Sequence, residues 1–424
     1  MATFRSRSID DLLGSGGIDF QVQYQAISWT ILGSISALLL LLGKVDFSLV
    51  RRGPLAWLLA FAALGVASSL YSLSPLITLY YSIQSIVLIL LVCAIGKNVD
   101  KIYYIVCLYA ALNWIVLIMG TAGFGLGLDW ITTAEESYVR YGGSRGELWR
   151  FSTAFGHPSL IAIVAAMGAV GLAAQRSRWS GKRLIVGWLT LTVVLTLSRT
   201  AIAGMAAGFL VIAVLRHKIS GTLATICLLA ALVLSIPGLD ERLVNVFMRG
   251  QSSQDFSSLT GRSEIYSAAL QRLEQAWWGE GFRSLRGRPL IGEQWGHGVS
   301  HAHNLVLQAS IDLGVAGVLA VVMCLFSLTR DAVRLAFPSR RLGLSAASDI
   351  EPIAVLFPIL AFCALDSGFA MNVNVFVIAF VMFCASTRRK VAQQAPATRY
   401  DSTEFVTSQV TFNHTMGRRY QCLR

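Results

Sequence analysis

Two histidines stand at the start of a long apolar segment, in the stretch GVSHAHNLVLQASIDLGVAGVLA at 298–320. An imidazole has an ordinary pKa near 6.5, so it can take up or release a proton around neutral pH. His303 enters the apolar run and is a candidate general base, with Asn304 as a helix cap. His301 is two residues away, so the pair shares a face only in an extended strand. In such a strand His301 and His303 could share a metal ion, with His297 as a third ligand. Metal binding is therefore one alternative, and a purely structural role for His303 is the other.

Three arginines near apolar segments are candidates for binding phosphate. Arg199 interrupts an apolar run from Leu184 to Leu215. An arginine at the centre of a membrane helix carries an insertion penalty of about 2.5–3.5 kcal/mol, so such a residue usually marks a site. The alternative is that Arg199 forms a tight turn between two short spans. Because the planar guanidinium binds two oxygens at once, Arg150, Arg199 and Arg262 together suit a pyrophosphate. For Arg150 and Arg262, a solvated loop charge is the alternative.

The composition predicts an all-α polytopic membrane protein. Of the 424 residues, 55% are hydrophobic and 14% are charged, whereas soluble domains carry about 25% charged residues. Apolar stretches of roughly the 17–25 residues that cross a bilayer recur along the chain, and we expect about eleven transmembrane helices (roughly ten to twelve). The predicted spans are 26–43, 54–71, 76–96, 103–120, 157–174, 183–198, 200–215, 220–236, 304–327, 352–368 and 370–386.

These spans divide the chain into three parts. Residues 1–25 form an N-terminal segment without a signal-peptide cleavage pattern, so the first apolar stretch is interpreted as a retained span. Residues 26–386 form a helical transmembrane domain that includes an outer loop at 121–156 and a larger periplasmic loop at 237–303. The polar tail at 387–424 is predicted to be cytoplasmic and disordered.

Lysine and arginine are concentrated in alternate short loops. Cytoplasmic loops of membrane proteins are enriched in these residues, so the odd-numbered loops and the C-terminus are predicted to be cytoplasmic. The placement of 1–25 stays open in this topology. The four chemically interesting positions, Arg150, Arg199, Arg262 and His303, then fall together on the periplasmic face.

The larger periplasmic loop contains a predicted amphipathic helix. Apolar residues recur at helical spacing through 263–277, and Gly279 and Gly281 end the pattern. Trp277 and Trp278 suit the level of the lipid headgroups. We therefore expect this helix to lie on the outer membrane surface.

Several classes of protein are excluded. The net charge is +12, but the charges are spread over short loops and the tail rather than along a basic stripe, which argues against nucleic acid. The seven cysteines include no CxxC pair, so neither a disulfide framework nor a zinc site is indicated. There is no Walker loop and no D-x-D motif, so no nucleotide and no cofactor are expected.

The motifs around the histidines resemble the O-antigen ligase and polymerase superfamily of bacterial envelope proteins. The ligase motif of that superfamily is a histidine, then Asn, Ser or Gln, nine residues, a glycine, two residues, and Gly, Thr or Tyr. Here it is matched by His303, Asn304, Gly314 and Gly317. The fixed spacing selects His303 over His301 as the motif histidine. The resemblance also implies a fold similar to that of GT-C glycosyltransferases.

The arginines match other elements of the same superfamily. LTLSRT looks like its Ser-Arg turn, which implies a phosphate-binding role for Arg199. LTGRSEIYSAALQ, followed by WWGEGF, looks like its Gly-Arg element and Gly-x-Gly, which implies the same role for Arg262. RFSTAFGHPSLIA is a looser match, because Ser159 stands where many members have asparagine, and it carries Arg150.

The resemblance implies a metal-independent, inverting glycosyltransferase in the bacterial inner membrane, with its active site facing the periplasm. Its donor would be a glycan on undecaprenyl pyrophosphate and its acceptor another glycan or lipid A–core, among membrane lipids and other envelope polysaccharide assembly proteins. His303 would remove the acceptor proton, and Arg199 and Arg262 would stabilise the leaving pyrophosphate. Arg150, Asn304 and His301 are expected to bind substrate.

A polymerase is the favoured interpretation, and three alternatives to it stay open. SSLTGRSEIY and the compact loop favour a polymerase of exopolysaccharide or O-antigen repeat units, and the Arg-x-x-x-Leu element of the ligases has no convincing counterpart. An O-antigen ligase would use the same chemistry on lipid A–core. A flippase or transporter of lipid-linked sugars would favour mid-bilayer charges and inverted repeats. A structural scaffold would leave the His/Arg cluster unexplained.

Overall fold

A computed structural model describes residues 20–121, 151, 157–176, 180–216, 262–286, 290, 301–337, 349–366, 368–370 and 373–394. Within these ranges the secondary structure is helical and no strand occurs. The α-helices are α1 Phe20–Leu41, α2 Ser48–Arg51, α3 Pro54–Ser68, α4 Pro75–Ile95, α5 Val99–Cys107, α6 Tyr109–Thr121, α7 Pro158–Ala174, α8 Lys182–Leu195, α9 Arg199–Leu215, α10 Arg262–Gln275, α11 Leu305–Ala336, α12 Glu351–Leu365 and α13 Val375–Gln394.

The helices have the length and apolar surface of an integral membrane protein. Among the described residues, Pro75–Ile95, Val99–Val116 and Leu305–Ala336 are long and apolar enough to cross a membrane. Large apolar side chains remain outside the bundle, as at Leu70, which is 90% exposed, and Ile105, which is 64% exposed. Such surface is expected where a helix contacts lipid rather than water.

Ten of the eleven predicted apolar segments coincide with a helix. The segment at 220–236 lies outside the described residues, and the count of about eleven spans stays a prediction, as do the three predicted parts of the chain. The segment at 103–120 differs from expectation, because the helix is broken at Leu108, whose ψ of 2° departs from the helical value. The predicted loop helix is present as α10.

Helix α7 forms the centre of the bundle. Twelve of its seventeen residues are buried, as expected for a helix that is apolar all round. Small residues let its neighbours approach closely: a Cβ added at Gly168 would come within 2.8 Å of Cys107 Cβ, and one at Gly171 within 3.0 Å of the Tyr104 hydroxyl. Close approach through small residues is the usual way in which membrane helices pack.

The directions of α7, α9 and α12 follow from their glycine contacts. Gly204 of α9 faces Pro358 of α12, and Gly208 faces Ala354. Along this contact the residue numbers of α9 rise while those of α12 fall, so the two helices are antiparallel. Gly208 also faces Val170 of α7, and Gly171, near the end of α7, faces Val355, near the start of α12. The first residues of α7 and α9 therefore lie at the same end of the bundle as the last residues of α12.

This end is called the His303 end, because His303 and the start of α11 also lie there. Asn304 Nδ2 donates a hydrogen bond to the Ala364 carbonyl, in the last turn of α12, at 3.0 Å. The opposite end is called the Lys390 end. There Lys390 of α13 pairs with Glu351 at the start of α12, at 3.0 Å.

Candidate active site at the His303 end

His303 has a strained backbone just before α11. Its φ is 49°, in the left-handed region that non-glycine residues seldom adopt. Its carbonyl accepts a hydrogen bond from the Tyr266 hydroxyl of α10 at 3.2 Å. Such backbone strain persists only where surrounding contacts impose it, and it is frequent at active sites.

Asn304 is the N-cap of α11. Its Oδ1 accepts hydrogen bonds from the backbone N–H groups of Val306 and Leu307 at 3.0 and 3.1 Å. These bonds satisfy two of the helix's unpaired donors. Its Nδ2 meanwhile binds Ala364, so the asparagine fixes the start of α11 against α12. The cap predicted from the sequence is thus present, and it orients the residue that precedes it.

The surroundings of His303 disfavour its protonated form. Burial, followed by the neighbouring His301, Arg262 and His157, lowers the pKa of His303 from its ordinary 6.5 to about 2. The rings of His301 and His303 lie 4.0 Å apart, tilted by 56°. His303 is therefore a neutral imidazole at pH 7, and its buried Nδ1 has no hydrogen-bond partner among the described residues.

Arg262 is the first residue of α10 and brings a permanent positive charge to His303. Its charge contributes to the lowered pKa of His303. It also favours a lower pKa for Tyr266, one helical turn along α10. Burial raises the pKa of Tyr266, and nearby Asp366 at the end of α12 adds to that rise. Within the described part of the chain, Arg262 forms no salt bridge with a carboxylate.

Arg199 begins α9 after a tight turn in which Leu197 has a φ of 52°. The turn is the structure that the alternative interpretation of Arg199 predicted. The antiparallel packing of α9 on α12 places Arg199 level with the last turn of α12, because each residue advances both helices by about 1.5 Å. That turn includes Ala364, the partner of Asn304. Arg199 therefore lies at the same end as His303, whatever its role.

The motif glycines allow α11 to break and receive another segment. Gly314 has a φ of 61° and a ψ of −151° in the middle of α11. The break frees the carbonyls of Ile311 and Asp312, which accept hydrogen bonds from the N–H groups of Glu280 and Gly281 at 2.8 and 2.9 Å. A Cβ at Gly314 would lie 2.3 Å from the backbone of this segment. We call residues 277–286 the strap.

The strap is anchored inside the bundle. The Phe282 N–H donates to Ser68 Oγ at 3.0 Å, and the Phe282 carbonyl accepts from Thr78 Oγ1 at 2.8 Å. Phe282 is 2% exposed and its ring packs edge-on against Phe61. Since the strap directly follows α10, its anchoring holds the helix that carries Arg262. Trp277 and Trp278, at the start of the strap, are exposed, as expected for residues at a lipid surface.

The structure brings together most of the predicted site. His301, His303, Asn304 and Arg262 lie close together, and Arg199 lies at the same end. Arg150 and His297 lie outside the described residues, so the predicted binding role of Arg150 stays a prediction. No group of three or more histidine, cysteine, aspartate or glutamate side chains with metal-binding geometry occurs in the described ranges.

Two residues of the cluster were not singled out from the sequence. His157 caps α7 through its Nδ1, which accepts from the Ser159 N–H at 3.3 Å, and it contributes to the lowered pKa of His303. Tyr266 donates to the His303 carbonyl. The only sequence signals are that His157 precedes a proline at a helix start and that Tyr266 is one turn from Arg262.

Comparison with known proteins finds a family similarity over part of the chain. A family model described as O-antigen ligase matches residues 184–322, which include Arg199, Arg262, the strap, and the motif from His303 to Gly317. A search of curated proteins found no match to the chain. The resemblance to the O-antigen ligase family is therefore confirmed over residues 184–322, in a chain whose described helices have the length and apolar composition of an integral membrane protein.

Proposed function

We propose that the protein is a glycosyltransferase of the bacterial inner membrane that acts at the periplasmic face on undecaprenyl-pyrophosphate-linked glycans. Its main reaction is polymerisation of exopolysaccharide or O-antigen repeat units. The observation that supports this proposal best is the neutral imidazole of His303, held beside the cation Arg262 within the matched segment. A base and a phosphate-binding cation side by side are what transfer from a pyrophosphate donor requires.

In the proposed reaction, the acceptor hydroxyl attacks the anomeric carbon from the side opposite the pyrophosphate. The new C–O bond forms as the bond from the anomeric carbon to the pyrophosphate oxygen breaks, which inverts the configuration. The electron pair leaves with undecaprenyl pyrophosphate, and the acceptor proton passes to His303 and then to solvent. Arg199 and Arg262 stabilise the charge that develops on the leaving group, with Arg150 as a further ligand.

The low pKa of His303 is compatible with this role once a donor is bound. In the free protein, burial and nearby positive charge keep the imidazole neutral. A bound pyrophosphate brings negative charge beside Arg262 and raises the pKa of His303 again, because an adjacent anion favours the protonated form. The base therefore becomes strong enough to accept a proton only when the donor occupies the site. The reaction requires no metal ion, because the arginines neutralise the leaving group.

The second candidate is an O-antigen ligase, which transfers the glycan to lipid A–core. The observation that favours it is the description of the matching family model itself. Both reactions have the same donor, base and leaving group, and they differ only in the acceptor.

The test is complementation of cells that lack the gene. Wild type, His303→Ala, Arg262→Ala and Arg183→Ala are expressed at equal abundance, and lipid-linked and surface glycans are resolved by gel electrophoresis and mass spectrometry. Arg183→Ala is the matched control, because this exposed arginine also lies at a helix start but at the opposite end of the bundle.

We expect the His303 and Arg262 variants to accumulate single repeat units on undecaprenyl pyrophosphate, and Arg183→Ala to behave as wild type. Accumulation of long lipid-linked chains, with none on lipid A–core, would identify a ligase. Full activity of His303→Ala would reject the mechanism, because it would leave the reaction without its base.

A further inference from the structure

A chain of buried hydrogen bonds lies directly behind His303. The N–H of Ala302 donates to Gln308 Oε1 at 2.9 Å, and Gln308 Nε2 donates to Asp312 Oδ2 at 3.0 Å. Ala302, Gln308 and Asp312 are all 0% exposed. The chain thus holds the peptide between the two histidines from inside the protein, where water cannot replace it.

The far end of this chain meets the strap. The positive charge of Arg283 lies near the Asp312 carboxylate and favours its ionised form. Arg283 is 4% exposed and has a φ of 66°, so it is a second non-glycine residue in the left-handed region. The Gly281 N–H also donates to the Asp312 carbonyl at 2.9 Å. Asp312 is therefore hydrogen-bonded to the strap through its backbone carbonyl and faces the strap's Arg283 charge with its carboxylate.

The network joins the two elements that carry the proposed chemistry. The strap continues directly from α10, which begins with Arg262, while Gln308 binds the residue before His303. Without Gln308, the Ala302 N–H would lose its buried acceptor and the strained turn at His303 would lose one of the contacts that impose it. Gln308 and Asp312 both lie among the nine residues between Asn304 and Gly314. The fixed spacing of the motif therefore also fixes the distance along α11 that these two side chains span.

We infer that Gln308 and Asp312 are positioning residues, which hold His303 at a fixed distance from Arg262 by linking the His301–His303 turn to the strap. Neither residue touches the reacting atoms. The inference rests on the proposed function for its effect on catalysis, but its structural claim concerns only the placement of the His303 imidazole.

The first test is kinetic. Membranes containing the full chain are supplied with the lipid-linked glycan extracted from cells that lack the gene, and initial rates are measured over a range of its concentration. For Gln308→Met, which has similar size but lacks both hydrogen bonds, we expect kcat to fall about 10- to 100-fold, because displacing a catalytic group by about 1 Å has effects of this size. KM should stay within about threefold, since the arginines that bind pyrophosphate are unchanged.

Two further variants separate positioning from general damage. Gln308→Glu keeps the acceptor for the Ala302 N–H and can share a proton with Asp312, so it should recover most of the activity that Gln308→Met loses. Ser310→Ala is the matched control, because Ser310 is also buried in this turn of α11 but its hydroxyl donates only to the Leu307 carbonyl. It should leave kcat unchanged.

The second test does not depend on transfer activity. Diethyl pyrocarbonate modifies neutral imidazoles, and mass spectrometry gives its rate at each histidine of the detergent-purified protein. We expect Gln308→Met to change the rate at His303 by about threefold or more, as loss of a fixed local structure exposes the site, while the rate at His157 stays the same. Asp312→Asn, which keeps an acceptor for Gln308 but removes the charge facing Arg283, should give a smaller change in the same direction.

The outcomes are distinct. If the wild-type protein shows no transfer but Gln308→Met still changes the modification rate at His303, the positioning inference is supported and the proposed function is rejected. Normal kcat and an unchanged His303 rate in Gln308→Met would overturn the inference. If Gln308→Met does not accumulate, Asp312→Asn decides in the same way, and an unchanged His303 rate in that variant would also overturn it.

Discussion

The two ends of the helix bundle use their cations differently. At the Lys390 end, positive side chains of α11 and α13 pair with acids: Arg330 and Arg388 with Asp331, Arg389 with Asp100, and Lys390 with Asp349 and Glu351. At the His303 end, Arg262 lies instead beside histidines and lowers the pKa of His303. The first arrangement stabilises the folded chain, whereas the second keeps the His303 imidazole neutral until a bound anion favours its protonated form.

Burial shows the same contrast. Asp331 is 0% exposed and has two cationic partners at 3.2 and 3.5 Å, so its charge is compensated inside the protein. At the other end, His303 has a buried Nδ1 without a hydrogen-bond partner among the described residues. Asp331 Oδ2 also lacks a hydrogen-bond partner in the described part of the chain, but the Arg388 guanidinium lies 3.5 Å from it. The contrast is therefore between a paired, charged carboxylate at the Lys390 end and a neutral imidazole at the His303 end.

The largest expected effect is on stability at the Lys390 end. Asp331→Ala leaves Arg388 without its buried acid, and breaking a buried pair in this way lowers the free energy of unfolding by about 3–5 kcal/mol. Thermal unfolding of the protein in detergent would measure it. Arg330→Ala is the control, because Arg330 is the more exposed partner and its pair should contribute less than about 1 kcal/mol. Specific transfer activity of the folded fraction should not change; a loss there would break the contrast between the ends.

The next effect is on activity at the His303 end. Arg262→Ala removes a cation that the proposed mechanism places on the leaving pyrophosphate, and the loss of one such group lowers kcat by about 10²–10³-fold, or about 2.7–4 kcal/mol. Thermal stability at pH 7 should be unchanged, since the neutral His303 imidazole is not repelled by the Arg262 charge. Arg262→Lys should be intermediate, because it keeps the charge but not the two-pronged geometry. Equal rates for Arg262→Ala and wild type would refute the catalytic assignment.

The smallest effect is the pH dependence of stability. Because the folded protein holds the pKa of His303 near 2 and the unfolded chain has a pKa near 6.5, the unfolded chain binds more protons between these values. Stability therefore falls as the pH drops below 6.5, by about 2 kcal/mol at pH 5 from this residue alone. His303→Gln should flatten this part of the curve, as measured by thermal unfolding from pH 7.5 to 5. The same slope in wild type and variant would show that folding does not lower the pKa of His303.

The elements of the fold were largely predictable from the sequence, because apolar composition and helix length are local properties. α10 was expected from its spacing, and its end was expected from Gly279 and Gly281, which have φ values of 88° and 104°. Less predictable was the break at Gly314, since glycine in an apolar run is common in membrane helices. Its reason is the strap, which is distant in sequence and occupies the space that a Cβ would fill.

The candidate site was partly predictable. His303, Asn304, Arg199 and Arg262 stood out by residue type and by spacing that resembles a family, and the family model covers all four. Gln308 and Asp312 gave no such signal, because a polar residue in an apolar helix shows only that a partner is needed, not which one. For Asp312 the partner is Arg283, which the fold of the strap brings close to the carboxylate.

By itself, the sequence determined that this chain is a helical membrane protein with a motif histidine at the start of one helix and arginines at the start of two others. Only the tertiary structure decided that His157, Tyr266 and Arg262 surround His303, and that α11 is broken to receive the strap. The physical reason is range: hydrophobic periodicity and capping act within a few turns of one helix. The electrostatic surroundings of His303 come from elements brought together by packing, over more than a hundred residues of chain between His157 and His303.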